Sequence, residues 1–219
     1  MKEFMVEFSK QHDIAVVSGS DLPKLKEQLG NDLMTYFKYV FCENGLVAYK
    51  EGKMIGSNSF KQAVGQTNYN HIVNFALLEM SKLELPVKTG TFIELRTGNL
   101  NVCPIGRNCK QNERDEFFKL DKEQHIRENL INKFKEEFKE MGLSYSAGGQ
   151  ISIDIFLKGW DKTYCLRYLK ECYDSIFYFG DTCYEGGNDY EISISKDIAR
   201  SHQVSGPQET MQFLKGYSN

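Results

Sequence analysis

Apolar and polar positions along this chain switch between a helical period and a period of two. Phe4, Met5 and Phe8 fall on one side of a helix expected over residues 1–11. Ile14-Ala15-Val16-Val17 predicts a short buried strand that ends in the polar turn Ser18-Gly19-Ser20-Asp21. Ser20 or Asp21 can cap the next helix, with Pro23 in its first turn and Gly30 at its close. Tyr39-Val40-Phe41-Cys42 predicts a second strand, and Leu46-Val47-Ala48-Tyr49 and Met54-Ile55 flank a turn at Glu51-Gly52. From 60 to 82 the pattern is helical, with Ile72, Phe75, Ala76 and Glu79 at i, i+3, i+4, i+7 and Pro86 beyond the end.

The texture then changes. Thr91-Phe92-Ile93-Glu94-Leu95-Arg96 and Leu100-Asn101-Val102-Cys103-Pro104-Ile105 predict a hairpin around Thr97-Gly98-Asn99. A charged helix is expected over roughly 121–141, striped by Ile126, Leu130, Phe134 and Phe138 and stopped by Gly142. Gln150-Ile151-Ser152-Ile153-Asp154-Ile155 alternates, which puts Gln150, Ser152 and Asp154 on one face of a strand. Residues 57–159 thus predict an antiparallel α+β unit inserted into an α/β unit made of 1–56 and 160–219. After it, Asp161 caps a helix, and Ile176-Phe177-Tyr178-Phe179 predicts a strand buried on both faces. A last helix opens at Ser205-Gly206-Pro207 and runs to about 216.

Composition narrows the class. A chain of 219 residues suits two domains, or one with a large insertion, and 41% hydrophobic residues supply a core. A net charge of −3 and a pI near 5.9 give no reason to expect nucleic acid or an anionic membrane surface as partner. No apolar run reaches the length of a membrane span, and Met1-Lys2-Glu3-Phe4 leads into no apolar block of a signal peptide. Six cysteines at 42, 103, 109, 165, 172 and 183 form no C-x-x-C pair, which fits a reduced, cytoplasmic protein.

Candidate chemistry gathers in two places. Asp181 closes the strand at 176–180, and Asp189 follows the pair Gly186-Gly187. Carboxylates at the carboxyl end of an α/β strand suit Mg²⁺ beside a phosphate, although a solvated Asp turn would read the same. Ser20 can donate to a phosphate oxygen or merely cap its helix. Lys162 is a cation just inside a helix start, where the dipole disfavours it unless an anion lies near. Only six arginines stand against 21 lysines, and three of them, Arg96, Arg107 and Arg114, fall in the hairpin region. Arginine matches phosphate bidentately, so this clustering suggests a phosphate grip as readily as a solvated sheet edge. Gln150, Ser152 and Asp154 suit sugar hydroxyls, and also a plain solvent-facing strand. Arg127, Arg167 and Arg200 read as ordinary helix-surface residues.

Whole words of the sequence resemble one family. They include Val17-Ser18-Gly19-Ser20-Asp21, Glu43-Asn44-Gly45-Leu46-Val47-Ala48-Tyr49-Lys50, Gly90-Thr91-Phe92-Ile93-Glu94 with Arg96, and Pro104-Ile105-Gly106-Arg107. Gly148-Gly149-Gln150-Ile151-Ser152, Gly159-Trp160-Asp161-Lys162 and Gly186-Gly187-Asn188-Asp189 continue the series. In this order they are similar to eukaryotic phosphomannomutase, of the haloacid dehalogenase superfamily. The resemblance implies a Rossmann-like core (1–56 and 160–219) and a cap (57–159) that binds substrate and forms a homodimer. It implies interconversion of mannose 6-phosphate and mannose 1-phosphate for GDP-mannose synthesis, with Mg²⁺ and a hexose 1,6-bisphosphate activator. By position, Arg96, Arg107 and Arg114 match the cap arginines that hold the distal phosphate. Ser152 and Asp154 match sugar-contacting residues, with Asn101 and Gln150 as neighbours. Ser20 and Lys162 match the hydroxyl and lysine that hold the transferring phosphoryl group, and Asp181 matches a Mg²⁺ ligand, with Asp189 in the same loop.

One departure is large. Family members carry a strand ending in Asp-x-Asp-Gly-Thr, whose first Asp is the phosphorylated nucleophile and whose second is the general acid/base. No such run occurs in these 219 residues. The chain is therefore expected to lack turnover, and its core sheet to lack a central strand and show unpaired strand edges. The alternatives are a sugar-phosphate phosphatase of the same superfamily and a non-catalytic sugar-phosphate-binding dimer.

Overall fold

The computed structural model describes residues 1–217, which fall into two compact units: Met1–Ser57 with the returning segment from Gly159, and Asn58–Lys158. The first unit opens with α1 (Lys2–Phe8), β1 (Ala15–Val17) and α2 (Leu22–Leu29). Asp21 is the α2 cap, its Oδ1 accepting from Lys24 N at 3.0 Å. β2 (Tyr39–Cys42) runs parallel to β1, and β3 (Val47–Lys50) and β4 (Lys53–Ser57) follow antiparallel, giving a sheet in the order β1-β2-β3-β4. All four residues of β2 are buried, as a strand covered on both faces should be. Ile14, Leu25, Leu33, Phe37 and Val40 pack on one side of this sheet. Tyr39, Phe41 and Ala48 pack on the other against Cys165, Leu166 and Tyr178.

The second unit has a helical part, α3 (Phe60–Val64) and α4 (Gln66–Ser81), where one continuous helix is expected from sequence. Gly65 breaks it, with φ +80°. A four-stranded antiparallel sheet follows, with β5 (Ile93–Leu95) and β6 (Leu100–Val102) as the hairpin. The single helix expected over 121–141 is two helices, α5 (Gln111–Gln124) and α6 (Ile126–Glu137), parted by His125 in the left-handed conformation at φ +54°. β7 (Leu143–Gly148) and β8 (Ser152–Leu157) complete the sheet in the order β5-β6-β8-β7. Gln150 lies in the turn before β8 rather than in the strand. Phe75 of α4 meets Phe134 and Phe138 edge-on at 5.2 and 5.3 Å, and Tyr145 of β7 donates to Phe134 O at 3.1 Å.

The chain then completes the first unit. A 3₁₀ helix (Lys162–Tyr168) replaces the expected α-helix, still capped by Asp161, which accepts from Thr163 N at 2.9 Å. β9 (Phe177–Gly180), the short α7 (Tyr190–Ser193), β10 (Arg200–Gln203) and α8 (Pro207–Lys215) follow. β9 is not buried on both faces: Phe177 is 43% exposed, whereas Tyr178 points into the core. Among the described residues β9 and β10 pair only with each other, in parallel. Among the described residues the core sheet is thus in two pieces, with β1 and β9 each an edge, although Val17 and Tyr178 share one apolar cluster. Arg200 stands on β10 and not on a helix.

Candidate functional site

Two constellations of polar side chains stand out, one in each unit. In the first unit the organising residue is Asp189, only 1% exposed. It accepts from Lys162 Nζ, and its Oδ1 also accepts from the Tyr178 hydroxyl at 2.5 Å. Its Oδ2 accepts from Asp181 N and Thr182 N, each at 3.1 Å, and from Thr182 Oγ1 at 3.0 Å. Burial alone would push this carboxyl up. The bonds from Lys162, Tyr178 and Thr182 outweigh it and hold the group well below the usual carboxylate range. Burial, and then Asp189, push the Tyr178 phenol far up, so it stays a donor. Lys162 has its anion after all: the charge that conflicts with the helix start answers Asp189.

The backbone makes room for this cluster. A Cβ on Gly180 would lie 2.8 Å from the Asp189 carboxyl, and one on Gly187 would lie 1.9 Å from Thr182 O. The end of β9 and the turn at Gly187 are both bare backbone because another group already occupies the space. Gly45, at φ +98°, lets the Glu43–Gly45 turn lie against Cys165, whose Cα would be 2.8 Å from an added Cβ. Asn44 Nδ2 donates to Trp160 O at 3.1 Å, which draws the loop carrying Ser18 and the turn carrying Lys162 onto one another. Ser20 sits at the end of that loop, half-buried, its carbonyl accepting from Glu43 N at 2.9 Å. Asp181 is exposed at the carboxyl end of β9.

These donors do not by themselves make a divalent-cation site. No three His, Cys, Asp or Glu side chains converge among the described residues, and both oxygens of Asp189 are engaged. A hard cation needs about six oxygens around it. Three of the buried thiols are not nucleophiles either. Burial pushes Cys42 and Cys165 up to about 12 and Cys103 up to about 11, so all three are protonated at neutral pH.

In the second unit the polar side chains form a row across the sheet. Glu94 pairs with Asn101, Asn101 with Asp154, and Asp154 with Ser146, so all four strands contribute to one face. Arg96 follows Glu94 two residues on and shares its side. Asn101 Nδ2 donates to Asp154 Oδ1 at 2.6 Å, and Arg107 Nη1 donates to Asn101 Oδ1 at 2.7 Å. Arg96 Nη1 is 3.6 Å from Asp154 Oδ1. Arg96 Nε donates to Glu94 Oε2 at 2.9 Å, and Arg107 Nε lies 3.3 Å from the same oxygen. Arg114 ties in through the backbone, its Nη2 donating to Arg107 O at 2.9 Å. Arg96 and Arg107 are therefore gathered around a carboxylate, an amide and a second carboxylate, and Arg114 is joined to them only through the carbonyls of Arg107 and Cys109.

Ser152 and Asp154 share a side of β8, and Ser152 Oγ donates to Gly148 O at 3.0 Å. A Cβ on Gly148 would meet Ser152 Oγ at 2.8 Å and Asp154 Oδ2 at 2.9 Å. Gln150 stands apart from the row, bonded to Gln111 at 3.0 Å and Asp115 at 2.9 Å. Sequence reasoning missed Glu94, Tyr178 and Arg127. Arg127 is no surface residue: it is 6% exposed, pairs with buried Asp121 at 2.8 Å, and donates to Gly149 O at 3.0 Å and Ser152 O at 3.2 Å. The signal for Glu94 was present in its alternation with Arg96. Nothing in the sequence around Arg127 marks it as buried.

A mixed α/β unit with a parallel edge and an antiparallel α+β unit interrupting it is the architecture of haloacid dehalogenase-like proteins. A haloacid dehalogenase-like hydrolase from Bacteroides thetaiotaomicron superposes with a TM-score of 0.55 at 11% identity, over 99% of this chain and 91% of that one. Residues 1–218 match the eukaryotic phosphomannomutase family, and the chain belongs to it. It is 51% identical over 212 residues to a phosphomannomutase of Solanum lycopersicum, covering 97% of this chain and 83% of that protein. It is 50% identical over 215 residues to one of Dendrobium officinale, covering 98% and 84%.

Proposed function

We propose that this chain is a hexose-phosphate-binding protein of the phosphomannomutase type, whose ligands are mannose 1-phosphate and mannose 6-phosphate. The observation that carries it is the cradle of Arg96 and Arg107 around Glu94, Asn101 and Asp154, with Arg114 bonded to the backbone of Arg107. Guanidinium groups grip a phosphate, and the adjoining amide, carboxylate and Ser152 hydroxyl suit the sugar. The sugar-phosphate role is assigned to residues 57–159, and the phosphoryl-handling role to 1–56 with 160–219. In the latter, Lys162 and Ser20 supply the ammonium and the hydroxyl for phosphoryl oxygens. Asp189 holds Lys162 in an ion pair, so its part is to orient rather than to react.

Transfer through a phospho-enzyme needs a carboxylate in line with phosphorus and an acid at the leaving oxygen. Lys162 and Ser20 stabilise charge but cannot accept a phosphoryl group as that carboxylate does. These 219 residues contain no Asp-x-Asp-Gly-Thr run, so by themselves they bind without turning over. Mg²⁺ at Asp181, a hexose 1,6-bisphosphate activator, a homodimer, a cytoplasmic location and service to GDP-mannose synthesis rest on the family resemblance alone.

Purified chain supplied with mannose 1-phosphate, Mg²⁺ and glucose 1,6-bisphosphate is expected to form no mannose 6-phosphate, while titration calorimetry detects mannose 1-phosphate binding. Turnover at an enzymatic rate refutes the inactivity. Failure to bind either mannose phosphate refutes the ligand assignment.

A further inference from the structure

Glu94 is the member of the cradle to which the proposed function gives no work. One of its oxygens, Oε2, lies 2.9 Å from Arg96 Nε and 3.3 Å from Arg107 Nε. Two cationic forks from different segments of chain, the residue after β5 and the turn after β6, thus converge on a single carboxylate oxygen. On each arginine the second engaged nitrogen is Nη1, towards Asp154 on Arg96 and towards Asn101 on Arg107. Nη2 is the nitrogen that these contacts leave unused on both.

We infer that Glu94 is a positioning residue that joins Arg96 and Arg107 into one anion-binding unit, aiming their Nη2 edges at the phosphate of a sugar phosphate. The inference rests on the proposed function and deepens it. Two guanidinium groups brought side by side repel, and long side chains lose rotamer freedom when a ligand fixes them. A carboxylate shared between their Nε atoms offsets the repulsion and sets both rotamers before the ligand arrives. Its side chain is 39% exposed and its backbone is held by register with Asn101, so it serves the arginines rather than the core. The rival role is that of a resident anion occupying the phosphate's place, which an incoming phosphate must expel. The two roles predict opposite signs.

The test is calorimetric titration of the full chain, wild type and variants, with inorganic phosphate and with mannose 1-phosphate, folding being checked by circular dichroism. Glu94→Ala is expected to weaken both probes about tenfold, the loss of roughly one charge-assisted hydrogen bond. Glu94→Gln, which keeps the acceptor without the charge, falls between that variant and wild type. In an Arg96→Ala background Glu94→Ala costs less than in wild type, because one of the two forks it sets is gone. A merely structural role would cost the same in both backgrounds. Wild-type binding that Glu94→Ala leaves unchanged or tightens overturns this inference alone, as does an equal cost in the two backgrounds. Should Glu94→Ala fail to fold, Glu94→Gln decides, and binding at or above wild-type strength overturns the inference. No binding of either probe by wild type overturns the proposed function and this inference together.

Discussion

Asp189 illustrates how a buried charge is kept. Its carboxylate gives up water for five protein donors, one of them the Lys162 ammonium. Removing one partner of such a pair leaves the other uncompensated, at a cost of about 3–5 kcal/mol. Asp189→Ala is expected to lower unfolding free energy in urea by that order, and a loss under about 1 kcal/mol would contradict the buried pairing. The folded carboxyl is held below its unfolded value near 3.9, so its contribution is complete above that pH and is lost as pH falls through the folded value. The stability of Asp189→Asn should accordingly vary less with pH below about 4 than that of wild type. Gly148 poses a steric case. An added methyl would press on Ser152 Oγ and Asp154 Oδ2, and overpacking of this sort costs roughly 1–3 kcal/mol. Gly148→Ala is expected to lose stability in that range and to bind mannose 1-phosphate more weakly, by denaturation and calorimetry.

Arg127 joins elements rather than residues. It carries the break between α5 and α6 onto the turn between β7 and β8, through Asp121 on one side and the carbonyls of Gly149 and Ser152 on the other. Arg127→Met is expected to cost about 3–5 kcal/mol and to speed amide exchange over residues 149–152 more than over α4. Uniform exchange would count against the link. What could be read from sequence at this scale followed the contrast of each segment. β2 was plain because Tyr39-Val40-Phe41-Cys42 is apolar throughout, and α2 because Asp21, Pro23 and Gly30 punctuate it. α5 was not seen: Gln111-Asn112-Glu113-Arg114-Asp115-Glu116 offers no apolar stripe, and packing through Phe117 makes the helix. β10 reads Arg200-Ser201-His202-Gln203, and pairing with β9 makes it a strand against propensity. The arginine side of the site was legible because arginine is scarce here. Its carboxylate side was not, since burial and register decide which acids meet which bases.

At the scale of the molecule, each unit has its own core. Residues 58–158 form an unbroken segment with buried Ile105, Phe117, Phe134 and Ile153. Expressed alone, this segment is expected to melt cooperatively and to bind inorganic phosphate, and a fragment without a thermal transition would contradict its independence. Among the described residues the first unit has four strand edges, on β1, β4, β9 and β10, and such edges template association. Concentration-dependent self-association in light scattering is expected, and Ala15→Lys, at the exposed first residue of β1, should reduce it. The row Glu94–Asn101–Asp154–Ser146 has a further consequence. Neighbouring rows of the same sheet, such as Ile93–Val102–Ile153–Ala147, face the opposite way. One residue gained or lost within any of these strands would exchange the two sides, sending acids and amides into oil and isoleucines into water. Evolution can therefore rewrite the chemistry of this surface letter by letter, but it cannot change the spacing of the lines on which that chemistry is written.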